Sequence, residues 1–396
     1  MKILVLPAYY YPEQAASPYL GDNIREAMCN AGFILDLYAP MPTRGVSEEI
    51  RVEYKERKIE YKYDNKLVIH RFPMYSEGKN PINRALRYGI CWCVQFGKGL
   101  CAKDIDLIYL ASTPPIQGAL GCLLKKIKRV PFVYNLQDIF PDSLAGTGLV
   151  RKDGLIWRIG RVVENFTYKH ADKIIVISEG FKRNIMAKGV PEEKIVVVYN
   201  WVDQNAVVDI PREKNKLFEM YGLDRSKFYV TYNGNIGLSQ NMDMLLSVAE
   251  ELKTSNSDIH FVLVGTGAYL DEVKRMVAER NIDNVHILPF QPYEDISHVF
   301  SLGDASLVIS KPGTGSASVP SKTWSIMSAS RPVLANFDEN ELKSILEDNS
   351  CGIFTKAGDK EEFKKSILTL YLNRELCKEY GKNGRQFVLN NLTREV

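Results

Sequence analysis

No apolar run in the 396-residue sequence reaches the roughly 18 to 20 residues that a membrane-spanning helix needs. The longest charge-free stretch, Leu107 to Leu124, is broken by Ser112-Thr113-Pro114-Pro115. Seven cysteines, at 29, 91, 93, 101, 122, 351 and 377, form no CxxC pair, so neither a zinc site nor a disulfide framework is indicated. Histidine is scarce, with five at 70, 170, 260, 286 and 298, which argues against chemistry that needs several imidazoles. The start, MKILVLPAYYYPE, does not read as a cleavable secretory signal, because its short apolar strand runs straight into Tyr and Pro, so a cytosolic protein without a leader is expected. Repeats and low-complexity tracts are lacking, and 45% hydrophobic with 25% charged residues excludes disorder.

Strong charge of one sign is also lacking: the net charge is +3. The sum hides a division, since the first 200 residues hold 29 basic and 21 acidic side chains (+8) and the remainder 22 and 27 (−5). Neither half is basic enough to suggest nucleic acid, but the first suits an anionic surface or ligand.

What is present is an alternation of strand-like and helical patterns, the signature of parallel sheets covered by helices and hence of an α/β fold. Strands are read at Lys2 to Leu6, Ile34 to Ala39, Leu67 to Phe72, Leu107 to Leu110, Phe132 to Asn135 and Lys173 to Ser178. Helices are read at Tyr19 to Ala31 and Ile82 to Lys103. The rhythm restarts near residues 200 to 212, with strands read at Phe228 to Tyr232, His260 to Gly265, Val285 to Leu288, Ala305 to Ile309 and Val333 to Ala335, so two successive modules are expected.

Ligands of open α/β sheets sit outside the carboxyl ends of strands, which directs attention to strand exits. Tyr232-Asn233-Gly234-Asn235-Ile236-Gly237 has the form of a phosphate turn, and Val264-Gly265-Thr266-Gly267 repeats it one strand later. Each is equally readable as a tight strand-to-helix turn, and the GxGxxG order is absent. Lys311 to Lys322 is a small-residue loop in which Ser321 is an expected helix cap and Lys311 and Lys322 are cations suited to a diphosphate; a solvated loop is the plainer alternative. In the first module Gln137-Asp138 follows a strand, and Asp138 reads either as a functional carboxylate or as a turn cap. Glu13, Ala15, Ala16 and Ser17 follow the first strand, where short residues suit close ligand approach. Asp104-Ile105-Asp106 precedes a strand and reads as a turn, not a metal site.

Taken in order, Pro12-Glu13, QDIFPDS, Glu164 with Tyr168-Lys169-His170-Ala171-Asp172, KIVVVYNWVD, YNGNIG, FVLVGTG, VPSK and RPVLA resemble the family 4 glycosyltransferases over nearly the whole chain. The likeness is to the bacterial branch that builds O-antigen and capsule repeat units, including N-acetylfucosamine transferases. The resemblance implies a GT-B fold, two Rossmann-like domains facing across a cleft. Residues 1–200 would bind the acceptor, 201–380 the nucleotide sugar, and 381–396 would begin a helix returning toward the first domain. It implies a retaining transfer from a UDP-sugar to a polyprenyl-diphosphate-linked saccharide, without a metal or other cofactor, by a protein held peripherally at the inner face of the cell membrane. In this reading Asp138 and Gln137 are catalytic. The donor is held by Gly234, Asn235, Gly237, Gln240, Gly265, Phe290, Gln291, Lys311, Ser321, Lys322 and Ser325, and the acceptor by Glu13, Ala15, Ala16 and Ser17.

The departures are specific. Where many members carry His, this chain has Gln137; where many carry Arg and Lys in the glycine turn, it has Asn235 and Gln240; the paired glutamates fall at Ala317 and Ser325. Lys311 or Lys322 is expected to replace the missing cations. A UDP-N-acetylglucosamine 2-epimerase and a non-catalytic sugar-nucleotide-binding subunit are the competing readings.

The segment Ile82 to Lys103 shows an expected buried stripe at Ile82, Leu86, Ile90, Cys93 and Gly97. Tyr88, Trp92 and Phe96 form a second stripe, readable as packing under a neighbouring helix or as a membrane-interface face beside Arg84, Lys98 and Lys103. The sequence also ends soon after a helical pattern that begins at Gly384, so a short or trimmed terminus is expected.

Overall fold

The structure, a computed structural model, describes residues 1–13, 18–78, 80–143, 150–315 and 319–396. Ala15, Ala16, Ser17 and Ala317 lie outside the described residues. The chain divides into two compact units, Met1–Tyr199 and Asn200–Val396.

In the first unit the described elements are β1 (Lys2–Val5), α1 (Pro18–Asn30), β2 (Ile34–Pro40), α2 (Glu48–Glu56), β3 (Ile59–Lys62), β4 (Leu67–Phe72) and α3 (Pro81–Cys101). They continue with β5 (Leu107–Ala111), α4 (Gln117–Lys128), β6 (Phe132–Leu136), α5 (Leu155–His170), β7 (Lys173–Val176), α6 (Glu179–Ala187) and β8 (Ile195–Val197). The eight-stranded sheet runs β3-β4-β2-β1-β5-β6-β7-β8, parallel except for β3, which pairs antiparallel with β4. β3 and β8 escape the sequence reading because they are short edge strands with polar or half-exposed side chains.

In the second unit, α7 (Leu217–Met220), β9 (Phe228–Asn233), α8 (Met242–Ser255), β10 (Ile259–Val264), α9 (Leu270–Glu279) and β11 (Val285–Leu288) come first. They are followed by α10 (Ile296–Phe300), β12 (Ala305–Ile309), α11 (Lys322–Ser328), β13 (Val333–Phe337), α12 (Glu341–Asp348), β14 (Gly352–Lys356), α13 (Lys360–Leu372) and α14 (Arg374–Asn391). Its six strands are parallel in the order β11-β10-β9-β12-β13-β14. β9, β12 and β13 are buried at every position, which is why they read as apolar runs interrupted only by Thr231, Asn233, Ser306 and Asn336. Phe228, Val230, Tyr232, Leu245, Phe261, Leu263 and Leu307 fill the core on one face.

The strand order reverses beside β1 in the first sheet and beside β9 in the second, and the exits of those strands are where open α/β sheets generally bind ligands.

Two expectations are corrected. α14 starts at Arg374, not Gly384; Gly381 and Gly384 lie inside it because a Cβ at 381 would stand 2.2 Å from the Ser330 carbonyl oxygen and one at 384 3.2 Å from Met327. In α3 the buried stripe is inverted: Ile82, Leu86, Ile90, Cys93 and Gly97 are exposed, whereas Arg87, Cys91 and Gln95 are buried. The reason lies in the carbonyls just beyond β1, which have left the strand ladder and need donors. Gln117 Nε2 donates to Leu6 (2.7 Å), Gln95 Nε2 to Pro7 (2.8 Å) and Arg87 Nη1 to Ala8 (3.2 Å). Polar satisfaction decides which face of α3 turns inward.

Candidate functional site

β9 exits into Gly234-Asn235-Ile236-Gly237 and β10 into Gly265-Thr266-Gly267, and the two turns pack backbone on backbone. Gly234 N–H donates to the Val264 carbonyl (2.9 Å) and Ile236 N–H to that of Thr266 (2.8 Å). A Cβ at 265 would stand 1.9 Å from Gly234 O, and one at 267 would stand 2.1 Å from Ile236 O. The smallness of Gly265 therefore serves the neighbouring turn. Gly237 N–H donates to Gln240 Oε1 (3.0 Å). Among the described residues only Asn235, of positions 234 to 237, has an amide with no protein acceptor, so the turn is not the multi-amide phosphate cradle its sequence suggests.

Positive charge reaches this turn from α11. Lys322 Nζ lies 3.2 Å from where a Cβ of Gly234 would stand and 3.9 Å over the Tyr232 ring centroid. At φ +126° Gly234 has the backbone conformation that glycine tolerates, and a side chain would also displace this ammonium. Desolvation pushes Lys322 down to about 7. Among the described residues no carboxylate pairs with it. Ser325 follows on the same side of α11, partly exposed. Ser321 is exposed with helical backbone angles, and its hydroxyl caps no amide, which corrects the expected N-cap.

Lys311 is differently placed. Its Nζ is 3.7 Å from Asp243 Oδ2 and 5.4 Å from the Tyr269 ring centroid, and Tyr269 donates its hydroxyl to the same carboxylate at 2.9 Å. The following loop is held by Asp338, whose carboxylate accepts the Gly313 and Gly315 amides at 3.0 and 2.7 Å. Phe290 is 70% exposed after β11, but Gln291 is buried and donates to Tyr221 Oη (2.8 Å) and the Pro289 carbonyl (2.7 Å), so its amide nitrogen is engaged within the unit. Asn233, at the end of β9, is buried with neither amide atom paired among the described residues.

In the first unit Ser112 organises the exit of β6. Its buried Oγ accepts the amides of Gln137 (2.9 Å) and Asp138 (3.2 Å), while Gln137 Nε2 donates to Asn135 Oδ1 (2.8 Å). Asp138 is exposed and accepts a hydrogen bond from Ser143 (3.1 Å). Partial desolvation lifts its carboxyl above the usual range against the opposing pull of that bond and of the Ile139 amide. Glu13 is buried: its carboxylate accepts the amides of Thr43 (2.8 Å), Arg44 (3.1 Å) and Tyr10 (3.3 Å), with Arg87 Nη2 at 3.5 Å. It ties loops together and offers no free oxygen face to an acceptor. Tyr88, Trp92 and Phe96 are half-buried: Tyr88 meets the Tyr9 ring edge-on, Trp92 Nε1 donates to Ile116 O (3.1 Å), and Phe96 stacks on Trp92.

Ser112 and Asp338 are site-shaping residues that the sequence reading missed, although both follow strands, which was the available signal. Tyr232 was read as the start of the glycine turn, but nothing in the sequence marked its ring as the surface on which Lys322 lies.

Comparison with known proteins matches residues 23–201 to the glycosyl transferase 4-like domain and residues 213–387 to glycosyl transferases group 1. The probable glycosyltransferase WbjE of Pseudomonas aeruginosa is 25% identical over 63% of this chain and 62% of its own. The putative colanic acid biosynthesis glycosyl transferase WcaI of Escherichia coli is 27% identical over 52% and 51%. The match thus spans about half to three-fifths of the length of these two relatives. Among solved structures, sucrose-phosphate synthase from Thermosynechococcus elongatus covers 100% of this chain and 95% of its own at TM-score 0.78 and 14% identity. Anabaena HepE, in complex with UDP and glucose, covers 100% and 96% at 0.72 and 18%. With both halves matched by glycosyltransferase domain families and both sheets in the corresponding architecture, the chain belongs to the family 4 glycosyltransferases of GT-B fold.

Proposed function

We propose that the chain transfers a sugar, an N-acetylated hexosamine or deoxyhexosamine, from a UDP-sugar to a saccharide carried on polyprenyl diphosphate, with retention of configuration, in the assembly of a bacterial surface polysaccharide. The observation that carries this reading is Lys322, a desolvated ammonium over the Gly234 turn with no carboxylate paired to it among the described residues. A leaving diphosphate gains negative charge as the glycosidic bond breaks, and a preplaced cation in a desolvated site stabilises that charge most where it develops. Lys322 and the open Asn235 amide take the diphosphate, Ser325 and Phe290 lie toward the nucleoside, and no metal enters the reaction. Asp138, held above the usual carboxylate range, is the stronger base for it and faces the acceptor hydroxyl, with Gln137 beside it fixed by Ser112 and Asn135.

The UDP complex of HepE and the colanic acid description of WcaI support the donor and the pathway class. Thermal-shift screening of nucleotide sugars, followed by UDP release with short lipid-diphosphate acceptors, tests the reading. Stabilisation by UDP-sugars and acceptor-dependent UDP release are expected. Stabilisation by GDP-sugars alone overturns the donor, and UDP binding without release on any acceptor makes the chain a binding subunit.

A further inference from the structure

The helices α3, α4 and α5 pack side by side, with α4 in the middle. α4 is sunk: a Cβ at Gly118 would stand 2.3 Å from Thr167 of α5, and one at Gly99 of α3 would stand 2.7 Å from Leu124 of α4. α3 and α5 flank it as two rails, their axes about 16–20 Å apart if each neighbouring pair keeps a spacing of about 8–10 Å. Both rails present apolar rows to solvent. On α3 the row includes Ile82, Leu86 and Ile90; on α5 it is Leu155, Ile159 and Val162, with Leu86 57% and Ile159 56% exposed. Spacings of three and four residues keep each row on one side of its helix.

The charges on the three helices are predominantly basic; Arg84 and Arg87 share the buried Glu77 and Lys125 pairs with Asp172, while Lys98, Lys126 and Arg158 are exposed with no carboxylate paired to them among the described residues. The three helices carry nine Lys and Arg against one acid, Glu164, and that acid is buried and bonded to Tyr168 and Lys188. A second copy docking face to face would set basic residues against basic residues. An anionic bilayer would take the apolar rows into its headgroup boundary and meet the exposed Lys98, Arg158 and Lys126 with lipid phosphates.

We propose that the exposed rows of α3 and α5 form the face by which this chain lies on an anionic membrane. The helices run opposite to the parallel strands they connect, so the first turns of α3 and α5, with Ile82, Leu86, Leu155 and Ile159, lie at the strand end where Gln137 and Asp138 emerge. That end of the unit is where a lipid-anchored acceptor has to arrive, so the inference rests on the lipid-linked acceptor of the proposed function. It also moves the membrane contact from Tyr88, Trp92 and Phe96, which pack within the unit, to the apolar row beside them.

The test is co-sedimentation with vesicles of phosphatidylglycerol and phosphatidylcholine, against pure phosphatidylcholine. The wild type is expected to bind the anionic vesicles at least about tenfold more tightly, and Leu86→Glu with Ile159→Glu to lose about tenfold or more of that binding. Both positions are exposed, and an unchanged UDP-sugar thermal shift in the double variant checks that the fold is intact. Binding that is absent in the wild type, or equal in the variant, overturns the proposal. A wild-type dimer in sedimentation velocity that the double variant dissociates also overturns it, because the face then belongs to a second copy. Vesicle binding without any UDP-sugar response upholds the face while the transfer reading falls.

Discussion

Arg87 in the first unit is fully buried and Lys322 in the second is half-buried with a desolvated ammonium, and the surroundings of the two cations differ in kind. Arg87 has Glu13 at 3.5 Å, Glu77 at 3.8 Å, the Ala8 carbonyl at 3.2 Å and the Tyr9 ring at 4.2 Å. Lys322 has the Tyr232 ring and, among the described residues, no anion. A buried cation with carboxylates is part of the fold's internal charge balance; one without them is poised for an anion that the protein does not supply. The same chain thus separates a cation that holds structure from one that waits for ligand.

The largest expected effect breaks the first partner set. Arg87→Met leaves Glu13 buried without its cation and Glu77 with Arg84 alone, and should cost about 3–5 kcal/mol of stability, read by denaturant unfolding. The corresponding change on the other side, Lys322→Met, should leave the thermal midpoint equal or raised, because it removes a desolvated charge. It should weaken UDP-sugar binding about 10- to 100-fold, the worth of a hydrogen bond to a charged group, as measured by calorimetry. A stability loss without a binding loss would make Lys322 a second Arg87.

The pH dependence sharpens the contrast. Free Lys322 loses its proton as pH rises through about 7, while the diphosphate-bound form holds it. Affinity for a UDP-sugar, whose doubly esterified diphosphate does not titrate in this range, should therefore fall about tenfold from pH 6 to pH 8. Lys322→Met should flatten the profile.

The second sheet was largely legible in the sequence because β9, β12 and β13 are buried on both faces and their apolar runs admit few other readings. β3 escaped because an edge strand with polar side chains has no such run. α3 misled for a sharper reason. Its hydropathy pattern named a buried stripe, but the carbonyls of Leu6, Pro7 and Ala8 demanded donors, and Arg87, Gln95 and Gln117 of two helices turned inward to supply them. A one-dimensional pattern counts apolar surface and does not see an unpaired carbonyl. Lys322 was visible as a cation at a helix start, yet its singular position depends on Tyr232 and Gly234, about 90 residues away in sequence.

Lys311 gives the smallest expected effect and the finest discrimination. Both lysines border the same loop and were equal candidates in sequence, but Lys311 shares its charge with Asp243, which also accepts the Tyr269 hydroxyl. A partly exposed pair of this kind is worth about 0–1 kcal/mol, and the cation is already neutralised where it stands. Lys311→Ala should change UDP-sugar affinity by less than about threefold, and adding it to Lys322→Met should add little. If Asp243→Asn then makes Lys311 matter, tightening donor binding in the otherwise wild-type chain but not in Lys311→Ala, the difference between the two lysines resides in the carboxylate beside one of them and not in their distance from the turn.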